Sequence, residues 1–458
     1  MPKLFGSPSR RTILGSALGA AATALVARPT RAGSRIGTQL RGSIDVAYSG
    51  LIPGAEDDQS RLLQAVLDRA SETGKPVLLP AGSYHVSNIM LPPNTNMIGV
   101  PGATRLIYTG GGHLLMCENA RDIRLSGLTL DGANRTIGDY AGAALRITDA
   151  THVFIDDCQV VGSLSAGIRI DRSSGKIERT TVTGALGSCA IHLVENRNFA
   201  VVGNELSNCA NGGIRVHRWS VGEDGTIISG NRLFKLGAAD GLDENGAGIE
   251  IFRANSVVIT NNRISDCARS AITAGETGNV QIVGNQCRQS GGTAIHLRSG
   301  YAGAVITGNV VDGGLCGILI AKAVAGSRMA ICSDNLVRNI LSDDAQTPGA
   351  GAAIAADSDT TINGNMIDGT SRFGLMLGSS GGLRNVVATS NVINDAPTGI
   401  YVSVAEGADS TVISDNVISG ATKGGIIGYE GEKPVTRDMG KGDNFGYEHL
   451  TLERNRIG

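Results

Sequence analysis

Two consecutive stretches, GIEIFRANSVVITNNRISDCARS (248–270) and AITAGETGNVQIVGNQCRQSGGT (271–293), show the pattern that decides the fold of this chain. In each, a small residue precedes an aliphatic residue that opens a segment of alternating apolar and polar positions. A short fixed period predicts repeats that stack and share one continuous core. Eleven aliphatic residues mark the repeat, at intervals that cluster at 23: Ile168, Ile191, Ile214, Ile249, Ile272, Ile295, Ile318, Ile354, Leu375, Ile400 and Ile426.

A ladder of asparagines follows the same repeat, and most of its members lie two residues before an apolar position. Its members are Asn204, Asn231, Asn262, Asn285, Asn309, Asn335, Asn365, Asn391, Asn416 and Asn455, with Cys158 and Thr180 in the same phase. Asparagine tolerates the left-handed conformation of a tight turn, and stacked asparagine side chains can hydrogen-bond along a column. We therefore expect a turn at each asparagine and a column of hydrogen bonds through the stack.

The repeat length determines the fold class. A coil of about 23 residues without a helical stretch accommodates three short strands and three turns. Within one coil, Val257, Ile259 and Ile264 are expected to point inward, with a turn at Asn262. We predict an all-β, right-handed, single-stranded parallel β-helix of about thirteen to fifteen coils.

The N-terminal part of the mature chain has the features of a cap. Residues 41–110 are expected to form the cap and the first coils, and residues 111–458 the β-helix repeats. Within the cap, residues 42–49 indicate a strand and residues 58–73 an amphipathic helix, capped by Asp57 and Asp58 and ended by Gly74. The buried face of that helix is predicted to hold Leu62, Leu63, Val66, Leu67 and Ala70.

Residues 1–32 indicate export rather than structure. The stretch Ser9-Arg10-Arg11-Thr12-Ile13-Leu14 resembles a twin-arginine signal, and the apolar run behind it is too short to span a bilayer. We expect a periplasmic or secreted bacterial protein with no transmembrane segment in the mature chain. Removal of residues 1–27 takes away Lys3, Arg10 and Arg11 from a chain of formal net charge −2, so the mature chain is mildly acidic and no basic block favours nucleic acid as a partner.

The eight cysteines lack a CxxC motif, and several recur at the same phase of the repeat. Cys209 and Cys267 share one phase, and Cys189 and Cys316 share another. This pattern favours small buried hydrophobic side chains over disulfides, even in an exported protein.

The stretch from Asp57-Asp58 through Leu63-Gln64-Ala65 to Val77-Leu78-Leu79-Pro80-Ala81-Gly82-Ser83-Tyr84 resembles the start of pectin-lyase-like right-handed β-helices. That superfamily includes polygalacturonases, pectate lyases, alginate epimerases and phage tailspikes. With the twin-arginine signal, the chain resembles more narrowly a bacterial family of twin-arginine-translocated repeat proteins of unestablished function. The resemblance covers nearly the whole chain and implies the fold. The Asn-Thr-Asp and Gly-His-Gly motifs of polygalacturonases are absent, and Val153-Phe154-Ile155-Asp156-Asp157 lacks the Trp and His of a similar pectate-lyase segment, so no catalytic residue is carried over.

Charged and histidine side chains concentrate on the outward positions of one repeating strand. Since strand side chains alternate, an inward Ile168 places its flanking polar neighbours outward, and neighbouring coils bring such groups together. The candidate catalytic residues are Arg169, Asp171, His192, Arg215, His217 and Glu250, with His296 and Arg298 as substrate-binding residues. The alternative is a solvent-exposed ladder of ion pairs. Toward the C-terminal end the same positions turn apolar, as at Met376 and Tyr401, and we expect these to be dispensable.

Three insertions enter at one corner of the coil, at about 131–143, 236–247 and 339–351, and repeat proteins place insertions on the binding side. The middle insertion carries Asp240, Asp243 and Glu244, whose oxygens suit a calcium ion. We expect no cofactor, with calcium at these residues as the alternative. Trp219 either stacks on a sugar ring as a substrate-binding residue or is buried under the loop that follows it.

This face predicts a protein acting on an acidic polysaccharide. Arginine holds a carboxylate bidentately, and histidine moves protons near neutral pH. A lyase- or epimerase-like reaction at a uronate is therefore expected, with Arg169, Arg215 or Arg298 binding the carboxylate and His217 or His192 taking the proton. Hydrolysis is less favoured, because Asp171 and Glu250 follow Ile168 and Ile249 and so lie three coils apart. The alternative from another class is a non-catalytic glycan-binding or scaffold protein of the cell envelope.

Overall fold

A computed structural model describes residues 42–239, 246–321, 328–342, 347, 349–378, 382–441 and 446–458. The predicted signal at 1–32 and the acidic residues Asp240, Asp243 and Glu244 lie outside this part of the chain. The described residues from Ile44 onward form a right-handed β-solenoid of about 13 turns with roughly 25 residues per turn. The predicted fold class is therefore confirmed.

Each turn contributes one strand to each of three sheets, which we name A, B and C in chain order. Sheet A has 16 strands: Ile44–Asp45, Val77–Leu78, Asn96–Ile98, Arg121–Ser126, Thr151–Asp156, Gly175–Glu178, Ala200–Val202, Ile227–Ser229, Val258–Thr260, Gly278–Val283, Ala302–Thr307, Arg328–Ser333, Ser358–Asn363, Arg384–Thr389, Thr411–Ser414 and Leu450–Glu453. Sheet B has 15 strands: Gly82–Val86, Thr104–Tyr108, Leu128–Asp131, Gln159–Ser163, Thr181–Ala185, Glu205–Cys209, Arg232–Leu236, Arg263–Cys267, Gln286–Ser290, Val310–Asp312, Leu336–Ile340, Met366–Thr370, Val392–Asn394, Val417–Ser419 and Arg456–Ile457. Sheet C has 15 strands: Ile89–Met90, Leu115–Glu118, Ala143–Thr148, Ala166–Asp171, Ile191–Val194, Ile214–Glu223, Ile249–Asn255, Ile272–Gly275, Ile295–Leu297, Ile318–Ile320, Ala352–Ala356, Phe373–Leu377, Thr398–Ser403, Gly424–Glu430 and Lys433–Asp438.

The strands stack in the register that the repeat predicts. Ile168 pairs with Ile191, Ile191 with Ile214, and Ile214 with Ile249, all in parallel. The described strands depart from parallel pairing where Lys433–Asp438 folds back antiparallel on Gly424–Glu430 at the end of sheet C. The inward aliphatic residues of all three sheets form one continuous core.

The asparagine column forms as predicted, but its members do not adopt the turn conformation. From Asn204 to Asn416, each member donates from its side-chain amide to the side-chain oxygen of the next member, one coil on. The left-handed residue is instead the one immediately before, such as Gly284 (φ 68°) before Asn285. That residue makes the sharp bend, and the asparagine after it turns inward, where it is buried.

The cap differs from prediction in the residue at which its helix begins, in one core residue and in the length of its first strand. The α-helix spans Ser60–Thr73 and ends at left-handed Gly74, while Asp58 Oδ1 accepts from the Ser60 backbone N–H at 2.9 Å. Leu62 is 43% exposed, so its prediction as a core residue is wrong; Leu63, Val66, Leu67 and Ala70 cover the core without it. Residues 42–49 contain only a two-residue strand, since Val46–Ser49 form a 3₁₀ helix. A second 3₁₀ helix spans Met439–Lys441.

All eight cysteines are buried and free, as their shared repeat phases predicted. Within the described residues no helix is long and apolar enough to cross a membrane.

Candidate functional site

All three insertions connect a strand of sheet B to the next strand of sheet C, so they flank the outer face of sheet C. This is the face on which the predicted site residues lie. Arg169 pairs with His192 and His192 with Arg215 in register, and Arg215 pairs with Glu250 on the next strand. These four residues therefore stack on the outer face of sheet C, and the roles of the candidate residues stay predictions.

The first part of this face is a closed ion-pair cluster around Asp171. Arg146 Nη2 lies 3.1 Å from Asp171 Oδ2, and Arg169 Nε lies 3.0 Å from Asp171 Oδ1. The side chain of Asp171 is only 3% exposed. Asp171 occupies an outward position, as alternation predicted, but it is buried because the two guanidinium groups cover it. Arg169 is therefore already neutralised within the ladder.

A second cluster lies around Glu250. Arg215 Nε lies 2.9 Å from Glu250 Oε2, and His217 Nε2 lies 3.6 Å from Glu250 Oε1. Burial alone raises the pKa of Glu250, but the contacts with His217 and Arg215 outweigh it and lower the pKa below its usual range. Glu250 therefore stays ionised beside His217, whose side chain is 27% exposed, while Glu250 itself is buried. Glu250, like Asp171, lies at an outward position but is buried rather than exposed to solvent.

The two other histidines of this face are kept neutral. Burial, followed by the charges of His217, Arg215 and Arg169, lowers the pKa of His192 to about 2. The Nε2 atom of His192 is buried and has no hydrogen-bond partner among the described residues, and its ring lies 5.4 Å from that of His217. Burial, assisted by Arg298, lowers the pKa of His296 to about 4. Neither ring carries a charge at neutral pH.

Phe252 connects the Glu250 cluster to Arg298, and sequence reasoning did not assign it a role. The ring of Phe252 lies 5.8 Å from that of His217, and the Arg298 guanidinium lies 5.9 Å from it. Arg298 makes no ion pair within the described residues, unlike Arg169 and Arg215. Gly275 pairs in register with Phe252 and lies between Phe252 and Arg298 in the stack. It is the residue of the sequence that could have indicated this contact. A side-chain carbon added at Gly275 would lie 3.0 Å from Arg298 Nε, so glycine lets Arg298 lie across this coil.

Trp219 lies on a bulge beside this cluster. The pairing of Ile214–Glu223 with the next strand shifts between His217 and Gly222, which leaves Trp219 projecting and 73% exposed. Its backbone N–H donates to Glu195 Oε1 at 2.5 Å, and its carbonyl accepts from Arg253 Nη1 at 2.8 Å. Burial of Trp219 under the following loop is therefore wrong, and an exposed indole at the rim is what stacking on a sugar requires.

The C-terminal end of the outer face is covered by an apolar cluster. Phe373, Met376, Tyr401 and Tyr429 are buried, and the rings of Tyr401 and Tyr429 stack 4.4 Å apart. Met376 and Tyr401 are therefore buried, although both lie at outward positions of their strands; that they are dispensable for activity stays a prediction. The Tyr401 hydroxyl donates to the Gly431 carbonyl, in the turn between the last two strands of sheet C. A side-chain carbon added at Gly349 of the third insertion would lie within 3.5 Å of Cys316, Leu319 and Ala355, so this insertion packs on the neighbouring coils.

The first insertion covers the other end in a similar way. Tyr140 of this insertion hydrogen-bonds His113 Nδ1 through its hydroxyl at 2.8 Å, and its carbonyl accepts from Arg146. Its Ile137 and Ala141 are buried in the core. Among the described residues, which leave out 240–245 of the middle insertion, the uncovered part of the face lies in the middle, where His217, Phe252 and Arg298 are found. No group of three potential metal ligands occurs among the described residues.

This geometry defines a right-handed parallel β-helix protein with a polar surface on one sheet, bounded by insertions at both ends. The sequence matches the family described as right handed beta helix region over residues 119–233, 166–330 and 323–437. These segments span more than half of the chain, and the protein belongs to this family.

Several solved structures are similar to this fold at low sequence identity. The A-module of a mannuronan C-5 epimerase from Azotobacter vinelandii is 16% identical, with a TM-score of 0.56 and coverage of 85% of this chain and 100% of that chain. Gene product 12 of bacteriophage phi29 is 17% identical, with a TM-score of 0.50 and coverage of 93% and 58%. PfbA, a surface adhesin of Streptococcus pneumoniae, is 16% identical, with a TM-score of 0.47 and coverage of 86% and 95%. At these identities the likeness to the first two structures establishes the fold alone, and the likeness to PfbA carries no argument. A comparison with curated protein sequences finds no match.

Proposed function

We propose that the protein acts on an acidic polysaccharide by β-elimination at a uronate, with His217 as the base and Arg298 binding the carboxylate. The observation that carries this proposal is the Arg215–Glu250–His217 arrangement on the uncovered part of sheet C. A carboxylate beside an imidazole orients the ring and stabilises the imidazolium that forms when the ring takes a proton.

The substrate carboxylate is assigned to Arg298 because the other arginines are occupied. Arg169 is paired with Asp171 and Arg215 with Glu250, whereas Arg298 has no carboxylate partner among the described residues. A guanidinium group binds a carboxylate bidentately, and neutralising the carboxylate acidifies the C–H bond next to it. Phe252, between Arg298 and His217, provides an apolar surface for the sugar ring.

The reaction moves one proton and breaks one bond. His217 takes the C5 proton of the uronate, and the C–H electron pair forms the C4=C5 double bond. The C4–O bond breaks, and the glycosidic oxygen leaves with the neighbouring sugar and accepts the proton from the imidazolium. A single acid–base group completes this cycle. Epimerisation needs a second proton donor on the opposite side of the sugar, and the neutral rings of His192 and His296 are poor donors.

The test is incubation of the purified protein with polymannuronate, polyguluronate, polygalacturonate and polyglucuronate. The ultraviolet absorbance of the C4=C5 product measures elimination. The expected export of the protein, from residues 1–32, would give it access to such glycans. We expect His217→Gln to lower the rate at least about 100-fold, the lower range for loss of a general base.

A matched control exists on another sheet. His152 Nδ1 lies 3.2 Å from Asp122 Oδ1, which is also a histidine–carboxylate pair but is exposed and far along the repeat from the site. His152→Gln should leave the rate unchanged. Equal rates for His217→Gln and the unmodified protein would contradict the assignment of the base.

Non-catalytic glycan binding is the second candidate, and the closed Arg146–Asp171–Arg169 cluster favours it because much of the charge is paired within the ladder. Binding of a uronate polymer that depends on Arg298, with no product on any polymer of the panel, would establish this function instead.

A further inference from the structure

The outer surface of the β-helix shows a recurring ion pair between adjacent coils. Arginines lie next to aspartates of neighbouring strands at 3.0 Å or less in six such pairs: Arg105–Asp131, Arg172–Asp149, Arg179–Asp156, Arg338–Asp312, Arg384–Asp359 and Arg454–Asp415. In a stack of parallel strands, this pairing cancels charge that would otherwise repel from coil to coil.

Sheet B departs from this pattern on three consecutive strands, Arg232–Leu236, Arg263–Cys267 and Gln286–Ser290. Arg232 lies directly beside Arg263 in register, and Phe234, Ser265 and Arg288 form the adjacent column. Neighbouring parallel strands are about 4.8 Å apart, so two exposed arginines lie side by side, which is unfavourable for the protein alone. We name Arg232, Phe234, Arg263 and Arg288 the sheet B patch.

The arginines of the sheet B patch are poorly matched by anions. Arg232 lies 3.9 Å from Glu205, an exposed and loose contact, and Arg263 and Arg288 make no ion pair within the described residues. The nearest aspartate beyond Arg288, Asp312, is held at 2.9 Å by Arg338.

The patch also has a shape. The three arginines surround a depression of about 320 Å³ that half-buried Phe234 lines, together with Ser265 and Gln286 and with no carboxylate. Leu233 and Ile264, both buried residues, also line it. An apolar ring with guanidinium forks around it matches a sugar that carries an acidic group, because the ring contacts the sugar's C–H face while the forks bind the anion.

We propose that the sheet B patch is a second, separate binding site for an acidic polysaccharide. This goes beyond the reaction proposed for sheet C, which uses a different sheet. Acidic polysaccharide is favoured over nucleic acid because the unpaired positive surface extends over only three strands, roughly 10 Å. Nucleic-acid binding depends on neutralising many phosphates, and ion-paired surface flanks this patch.

Binding is tested in an Arg298→Gln background, so that the sheet C site does not contribute. Affinity for polygalacturonate and for heparin is measured by titration calorimetry, with dextran as the neutral polymer and single-stranded DNA as the other polyanion. Carboxylate and sulfate recognition are distinguished by the two acidic polymers. We expect Arg263→Gln to weaken binding of at least one of them about tenfold. The salt dependence of the affinity should decrease at the same time.

The matched control is Arg338→Gln on the same sheet, where the arginine is exposed but paired with Asp312. It should change the affinity less than twofold. Arg263→Gln should not lower the melting temperature, since it removes a like-charge contact, and this measurement excludes misfolding.

Three results would overturn the proposal. One is the absence of binding to both acidic polymers in the Arg298→Gln background. A second is equal affinity of the Arg263→Gln and Arg338→Gln proteins. The third is DNA binding as tight as polysaccharide binding with the same dependence on Arg263, which would assign the patch to nucleic acid. Loss of elimination activity with intact binding at the patch would affect only the sheet C proposal.

Discussion

Replacement of one asparagine in the column provides a quantitative test of how the coils are held together. Asn285 is fully buried, and its side-chain oxygen accepts from both the backbone N–H and the side-chain amide of Asn262 at 3.0 Å. Its own amide donates to the Ile259 carbonyl and to Asn309 Oδ1, also at 3.0 Å.

Asn285→Leu keeps a similar size but removes every polar atom of the side chain. Two N–H groups of Asn262 and the Ile259 carbonyl lose these partners, while Asn309 Oδ1 keeps the backbone N–H of residue 285 at 2.9 Å. Each buried group left without a partner costs about 1–3 kcal/mol. We expect the free energy of unfolding to fall by roughly 3–5 kcal/mol, after partial relaxation of the coil.

The chain provides its own milder substitution. Thr180 occupies the same column, where its hydroxyl accepts from the Cys158 backbone N–H and donates to the Glu178 carbonyl at 3.0 Å. Asn285→Thr should therefore restore a partner for the backbone N–H of Asn262 and cost only about 2 kcal/mol.

The measurement is urea unfolding followed by far-ultraviolet circular dichroism, with a single transition and an unchanged slope required for comparison. A loss below about 1 kcal/mol for Asn285→Leu, or equal losses for the two variants, would falsify the view that the column supports the stack.

Two further predictions concern titrating groups. Because the pKa of His192 is about 2 in the folded protein and near 6.5 when unfolded, the unfolded state binds the extra proton as pH falls below 6.5. The free energy of unfolding should then drop by about 1.4 kcal/mol per pH unit because of this residue. His192→Gln should therefore make the pH dependence of the melting temperature flatter between pH 6 and 4. An unchanged slope would show that His192 is not held neutral. Burial raises the pKa of the Cys158, Cys267, Cys316 and Cys332 thiols to about 12, so a thiol reagent at pH 8 should label them only after denaturation. Labelling of the native protein would contradict the buried positions of these cysteines.

The repeat made most of the fold predictable. The period fixed which aliphatic residues stack, because a parallel coil that buries Ile168 must bring Ile191 and Ile214 over it to continue the core. The corner at which the insertions enter also followed from counting residues between repeat positions. The prediction placed the left-handed turn residue one position too late. Asparagine suits both a left-handed backbone and a buried, hydrogen-bonded column. Because asparagine and glycine both occur at these turns, the sequence did not distinguish the two positions.

The candidate site was predictable in position but not in its electrostatics. Alternation along a strand placed Arg169, Asp171, His217 and Glu250 on one face. It did not indicate that Asp171 and Glu250 would be buried by arginines of neighbouring coils. Phe252 was missed because an isolated aromatic residue carries no signal until Gly275 and Arg298 are stacked beside it.

The sequence by itself determined the β-helix, the stacking register, the buried cysteines and the face that carries the charged side chains, because all of these depend on a period that is visible in one dimension. Tertiary structure alone decided which charges are paired, which histidines are neutral and which part of the face is uncovered. These properties depend on distances between side chains of different coils and on insertions that fold back over the sheet. The same separation explains the apolar cluster of Met376 and Tyr401, where outward positions are buried by the chain's own C-terminal hairpin.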